Sequence, residues 1–328
     1  MKASVSEVSD KVSPLITDLL AVNATDHRKL PAVEADAKAI AEIANEHELS
    51  VDSKSTLFSE QAALDFITGY IDPSVTFLLS IDDEPGFSVV VNLHPDSVKR
   101  KYFTDVYAHP RLENLEDVVL WAIELAQSEN PGWEMWPGAN FLDQRLQRAW
   151  TNHGFEFLRR YYTMRMEITS APTIRQIPEL EIRTLDVTNP DNVALWHKVH
   201  QNAFSKHFGF APRELEKWRE LVIEDVFLDH SGVFVAFIND QPVGFCQCTD
   251  EYAEESKGYI SILGVAQEYQ GLGIGEALLQ TGISHSATKG YSSLELNVDT
   301  GNETGALKLY EKVGLKPESS WIQLHRPA

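Results

Sequence analysis

Cysteine is nearly absent. The 328 residues hold two, Cys246 and Cys248, and neighbours at i and i+2 on one strand are poorly placed to bridge. No disulfide framework is available, and buried reduced thiols are expected. A C-x-C metal pair needs further Cys or His ligands, and neither a cluster nor an H-E-x-x-H pattern supplies them. No catalytic metal is therefore expected. Basic residues are also scarce, 28 against 49 acidic ones, giving a formal charge of −21. Nucleic acid, whose phosphates such a surface repels, is an unsuitable partner. Long apolar runs are missing too. None approaches the ~20 residues a membrane span needs, and Met1 to Asp10 has no signal-peptide core. The expectation is a cytoplasmic monomer or homodimer without membrane contact.

What is present centres on Gly258 to Gln280, GYISILGVAQEYQGLGIGEALLQ. Tyr259 to Val265 is apolar and β-branched, which predicts a buried strand, with Gly264 as the expected place for a bulge. Gln270, Gly271, Leu272, Gly273, Ile274 and Gly275 form a glycine-rich turn. From Ile274 the apolar residues fall at helical spacing. Strand, glycine turn and helix together let bare N–H groups converge on an anion where the helix dipole adds positive charge. A phosphate-bearing ligand follows, against the plainer reading of a tight helix entry. A P-loop is excluded, because Glu276-Ala277 stands where Lys and Ser or Thr are needed. A dinucleotide fold lacks its second βαβ half, although Asp299 does end the next strand.

Ser293 to Asp299 alternates as a strand, and Asn302 is expected to open a helix carrying Ala306, Leu309, Tyr310 and Val313, stopped by Gly314. The ordered set ISILGV, QGLGIGEALL and N-x-x-x-A-x-x-L-Y-x-x-x-G-L resembles the GNAT superfamily of N-acetyltransferases over about Glu181 to His325. The resemblance implies an α/β fold with a mixed, mostly antiparallel twisted sheet, flanking helices and a splayed central strand pair. It also implies acetyl-CoA as co-substrate. Leu263 and Val265 would pair with its pantetheine arm, the amides of Gln270 to Gly275 would hold its diphosphate, and Asn302 and Tyr310 would line the thiol end.

The N-terminal half repeats that element order. Helices are predicted at Ala32–His47, Ser59–Tyr70, Leu112–Gln127 and Asn140–Asn152. Strands are predicted at Val75–Ser80, Phe87–Leu93, Tyr102–Ala108, Gly132–Trp136 and Phe155–Ile168. Residues 1 to 30 read as a polar lead-in. Trp150 to Phe155 aligns with Tyr310 to Leu315, so two tandem copies are expected: 1–170, a linker at 171–179, and a catalytic copy at 180–328. In the first copy the glycine turn is replaced by His109 to Leu115, where Glu113 and Glu116 would repel a diphosphate and Arg111 compensates only in part. A degenerate first copy is expected, with a second acetyl-CoA site as the alternative.

The tandem shape resembles the mycothiol synthases, including the stretches Ala203 to His207 and Pro212 to Leu215. The resemblance implies a glutamate base opening the strand, but Tyr259 stands there, which leaves Glu255 or Glu254 as the base. His207, Phe208 and Tyr259 are the candidate acceptor contacts. An alkyl amine near pKa ~10.4 costs roughly 4–5 kcal/mol to deprotonate at neutral pH, so a base matters more than an acid at a thiol leaving group of pKa ~8.5. Tyr310 is the candidate acid. The expected function is transfer of acetyl from acetyl-CoA to a small-molecule amine by direct attack. A catalytically weak acyl-CoA sensor or scaffold is the alternative.

Overall fold

The computed structural model describes residues 32, 34–55, 57–68, 74–79, 89–112, 115–223, 225–302 and 304–326. The expected lead-in before residue 31, and Glu113, lie outside them. The chain forms two compact units, Met1–Arg160 with Ser319–Ala328, and Tyr161–Glu318.

In the first unit strands β1 (Val75–Leu79), β2 (Val89–Asp96), β3 (Lys101–Ala108) and β4 (Glu134–Asn140) lie side by side in that order, with β11 (Lys316–His325) on β4. Only β3 and β4 run parallel; the other described pairs are antiparallel. Alternation along β2 sends its side chains into two layers. Val90 packs with Ile40, Ile43 and Phe66 of helices α1 (Ala37–Val51) and α2 (Glu60–Thr68). Val89, Val91 and Leu93 pack with Trp121 and Trp150 of helices α3 (Glu116–Glu129) and α4 (Gln144–Asn152). That explains why Val89 to Leu93 is a continuous buried run.

In the second unit the strand order is β5 (Glu156–Glu167), β10 (Ser293–Asp299), β9 (Lys257–Val265), β8 (Gln241–Thr249), β7 (Leu228–Ile238) and β6 (Leu180–Thr184). Here β9 and β10 are the parallel pair. The β7–β8 hairpin turns on Asn239 and Asp240, both at positive φ (49° and 58°), as a two-residue primed turn requires. Helices α5 (Pro190–Phe204) and α6 (Leu215–Ile223) cover one face through Trp196 and Trp218, whose ring centroids are 5.0 Å apart. Asn189 caps α5 by accepting from the Asp191 N–H at 2.9 Å, and Pro190 opens it. Helices α7 (Ile274–Thr288) and α8 (Ala306–Val313) cover the other face around Leu278, Leu279, Ile283 and Tyr310.

The repeat expected from the sequence is present at the level of atoms. α4 and α8 each end on a left-handed glycine, Gly154 (φ 82°) and Gly314 (φ 115°). In each, the next amide reaches back to an aromatic carbonyl: Phe155 to Trp150 at 3.2 Å, and Leu315 to Tyr310 at 3.0 Å. The observed units differ from the expected contiguous halves in their last strands. Residues 319–325 of β11 belong to the first unit, where Ile322 pairs with Ala139, while residues 161–167 of β5 pair with β10 in the second. Alternation in a sequence tells which face a strand buries and is silent about its neighbour. The helix expected to open at Asn302 starts at Ala306.

Candidate active site

The site grows out of β9. It pairs with parallel β10 only from Lys257 to Tyr259, and from Ile260 onward it is held by β8 alone. A wedge therefore opens between β9 and β10. Against β8 the register shifts at Ser261, since Cys248 faces Ile260 while Gln247 faces Ile262. This is the bulge, three residues before the glycine where it was expected. The extra residue reverses the alternation. Ile260 meets Gly282 of α7, yet two positions on Ile262 belongs to the α5 face, and Leu263 and Val265 turn to Gly275 of α7. Gly264 serves packing instead: a Cβ there would stand 2.8 Å from Phe245 and 3.0 Å from Ala203 and Phe204.

The Ala266 N–H donates to the Val243 carbonyl at 2.8 Å, so the even-numbered residues after the bulge bond to β8. The backbone groups of Leu263 and Val265 then face the wedge. The Val265 carbonyl accepts from Gln270 Nε2 at 3.1 Å, which fixes the start of the glycine turn. Gly271 (φ 79°) and Gly273 (φ 87°) adopt the left-handed conformation that makes glycine necessary. Gly275 has a different reason, as a Cβ there would lie 3.3 Å from Leu309 of α8. No side chain caps α7, and among the described residues the N–H groups of Gly271, Leu272 and Gly273 donate no hydrogen bond. Buried amides rarely stay unpaired; here Gln270 to Leu272 are exposed, with Leu272 54% accessible. Open amides at the positive end of a helix form a ready anion site.

Tyr310 is 6% exposed on α8, and its hydroxyl has no hydrogen-bond partner among the described residues. Burial, then the neighbouring Cys246 thiol, pushes the phenol well above the usual tyrosine range. Both cysteines are free and buried. Asn302 is engaged locally, its Oδ1 accepting from the Thr304 amide at 2.8 Å and hydroxyl at 2.7 Å.

Glu254 and Glu255 form a single 3-10 turn before β9, and Glu255 pairs with Lys257 Nζ at 3.1 Å. Lys257 also holds buried Glu295 at 3.2 Å, with Arg165 at 3.6 Å from the same oxygen. Four residues lie between Glu255 and Ile260, at most about 16 Å of chain from the mouth of the wedge. Tyr259 stands at that mouth, accepting from Asn297 Nδ2 at 3.0 Å and edge-on to Tyr252. Burial, then the charges of Glu251 and Glu295, pushes its phenol well above the usual range. Glu251, which the sequence reading did not single out, also bonds Tyr252.

The acceptor segment splits in two. His200 is half-buried beside Phe204, Trp218 and Phe245, and desolvation there pulls it down to about 4, helped by His197 and Arg213, so it is neutral at physiological pH. His207 and Phe208 lie on the turn after α5, with Phe208 36% exposed and His207 edge-on to Phe204. Tyr259 shares the α5 side of the sheet with them, since its neighbours Gly258 and Ile260 meet α7.

In the first unit β3 and β4 likewise part after Thr104. The corresponding turn has no glycine, and its carbonyls are taken: Arg145 Nη1 donates to Pro110 O at 3.1 Å and to Leu112 O at 2.7 Å. Trp150, which aligns with Tyr310, is fully buried in the core.

Among the described residues no group of His, Cys, Asp and Glu is arranged for a metal, and no helix is long and apolar enough to cross a membrane. Residues 193–315 match the acetyltransferase (GNAT) family model. The chain is 30% identical over 185 residues to a mycothiol acetyltransferase of Geodermatophilus obscurus, covering 54% of this chain and 56% of that one. It is 28% identical over 236 residues to one of Renibacterium salmoninarum, covering 69% and 68%. The chain spans about half the length of the first curated relatives it matches. In fold it is similar to a GCN5-related N-acetyltransferase from Sphaerobacter thermophilus, at 21% identity and TM-score 0.76 over 91% of this chain and 95% of that one. It is also similar to a tandem GNAT protein from the clavulanic acid biosynthesis pathway, at 12% identity and TM-score 0.70 over 91% and 98%. The open wedge and the uncapped glycine turn both lie within residues 193–315, the region that is similar to the acetyltransferase (GNAT) family.

Proposed function

We propose that the second unit transfers the acetyl group of acetyl-CoA to the amine of a small molecule, by direct attack in a ternary complex. The observation that carries this is the run of undonated amides at Gly271 to Gly273, set beside a wedge lined by the backbone of Leu263 and Val265. The diphosphate rests on the amides, and the pantetheine arm takes the place of a strand in the wedge. This brings the thioester toward the β9 bulge. There a backbone N–H stabilises the tetrahedral oxyanion; one such donor is worth roughly 10²–10³ in rate. Alignment of the two bound substrates supplies much of the remaining acceleration.

The nitrogen lone pair attacks the thioester carbon, the C–N bond forms as the C–S bond breaks, the sulfur leaves as a thiolate, and the proton that nitrogen loses on becoming an amide passes through solvent to that thiolate. Tyr310 donates a hydrogen bond to that sulfur. Its raised pKa makes it a donor that keeps most of its proton, which suffices for a thiol leaving group. The acceptor's ammonium proton goes by way of solvent to Glu251, whose charge bears on Tyr259 at the mouth of the wedge. His207, Phe208 and Tyr259 contact the acceptor. The relatives named mycothiol acetyltransferase support acetyl transfer to a small molecule, and Tyr259 in place of the implied glutamate points to a different acceptor. The first unit, whose corresponding turn has no glycine, does not hold acetyl-CoA.

Release of free CoA thiol in the presence of a panel of amines tests the reading. Amine-dependent release is expected. Tight CoA binding with no release for any amine would favour the sensor alternative. Glu251→Gln is expected to lower kcat about 10²-fold near neutral pH with little change in acetyl-CoA affinity. An unchanged kcat would remove Glu251 from the mechanism.

A further inference from the structure

A carboxylate at the entrance of an anion site is a liability, and Glu276 occupies that position in the first turn of α7. Two cations converge on it. Lys312 Nζ donates to Glu276 Oε2 at 2.7 Å, and Arg175 Nη1 donates to the same oxygen at 2.8 Å. Lys312, then Arg175, holds the carboxyl below its usual range, so it stays ionised while its charge is more than balanced. The cluster carries a net charge of +1 in a chain whose formal charge is −21.

Arg175 comes from residues 171–179, which the sequence presents as a bare linker. Its backbone N–H donates to Gln280 Oε1 at 2.7 Å, which anchors that segment along α7. Its guanidinium lies against the glycine turn: a Cβ on Gly273 would stand 2.6 Å from Arg175 Nε and 2.8 Å from Cζ. Among the described residues, Nε and Nη2 donate no hydrogen bond. A planar fork with unused donors, pressed on the turn whose amides are also unused, is suited to phosphate oxygens.

We propose that Arg175 is a phosphate-recognition residue, which closes the glycine turn from the linker side and selects a diphosphate-bearing acyl carrier over a bare pantetheine. Lys312 keeps Glu276 neutralised when the guanidinium turns to the phosphate. Gly273 is needed for its left-handed backbone and also for the room it leaves the guanidinium. The inference rests on the acetyl-CoA reading of the same turn and adds the residue that confers selectivity.

Calorimetric titration of the full chain with CoA, and with pantetheine as a probe lacking the phosphates, tests it. Arg175→Ala is expected to weaken CoA about tenfold to a hundredfold, the usual range for losing a charge-assisted hydrogen bond, and to leave pantetheine unchanged. Arg175→Lys keeps the charge without the fork and should lose less. CoA affinity within twofold of the parent chain would overturn the proposal, as would equal losses for CoA and pantetheine. A parent chain that takes up no CoA would instead overturn the acetyl-CoA reading itself.

Discussion

Tyr310→Phe separates chemistry from packing at one atom. The ring belongs to the second unit's core at 6% exposure, and Phe keeps its volume and its neighbours. The hydroxyl has no protein partner among the described residues, so its removal breaks no hydrogen bond and strands no buried group. Stability should change by less than about 1 kcal/mol. The catalytic effect should be much larger. A hydrogen bond to the developing thiolate is worth roughly 1.5–3 kcal/mol, which is about tenfold to a hundredfold in kcat. Affinity for acetyl-CoA should stay within about twofold, because the bond strengthens only as the sulfur gains charge. Urea denaturation, calorimetric binding of CoA and steady-state kinetics on one preparation give all three values. An unchanged kcat, or a stability loss above about 2 kcal/mol that accounts for the fall, would refute the reasoning and leave Tyr310 as a packing residue.

Two further substitutions test the frame around the site. Gly264→Ala forces a methyl to within 3.0 Å of Phe245, Ala203 and Phe204 and should cost about 1–3 kcal/mol by overpacking, read from the urea midpoint; no loss would mean that α5 stands off the sheet. In the first unit burial, then Glu48, pushes Asp105 up to about 7. Its folded pKa lies above the unfolded value of ~3.9, so it carries a penalty that is absent below pH ~4, grows between ~4 and ~7 and is complete above. Asp105→Asn should therefore stabilise the chain by roughly 2–4 kcal/mol at pH 8 and by little at pH 4. Equal thermal shifts at both pH values would contradict this.

Much of the second unit was legible because its signals are local. Left-handed turns needed Gly271 and Gly273, the apolar period after Ile274 gave α7, and the Tyr310-to-Gly314 spacing gave the end of α8. What escaped depends on contacts between distant segments. Gly264 invited a bulge, but the room it gives Phe204 of α5 is a tertiary fact, and the bulge sits at Ser261, a residue with no special turn chemistry. Asn302 has the side chain of a helix cap and uses it on Thr304. Glu255 was nearest in sequence to the wedge, whereas Glu251 acts on Tyr259 across a turn. Arg175 stands in TSAPTIRQIP, a composition that reads as a spacer, and gains its role only by lying on Gly273. The partner of a terminal strand is equally invisible, which is why residues 319–325 were expected in the second copy and lie in the first unit.

The central claim is that the exposed amides of one turn hold the diphosphate of an acyl carrier. Titration of the full chain with acetyl-CoA, monitored calorimetrically, tests it most directly. The account predicts one carrier per chain, with binding lost when Gly273→Asp puts a carboxylate on the turn. No uptake, two carriers per chain, or an undiminished affinity in that variant would contradict it.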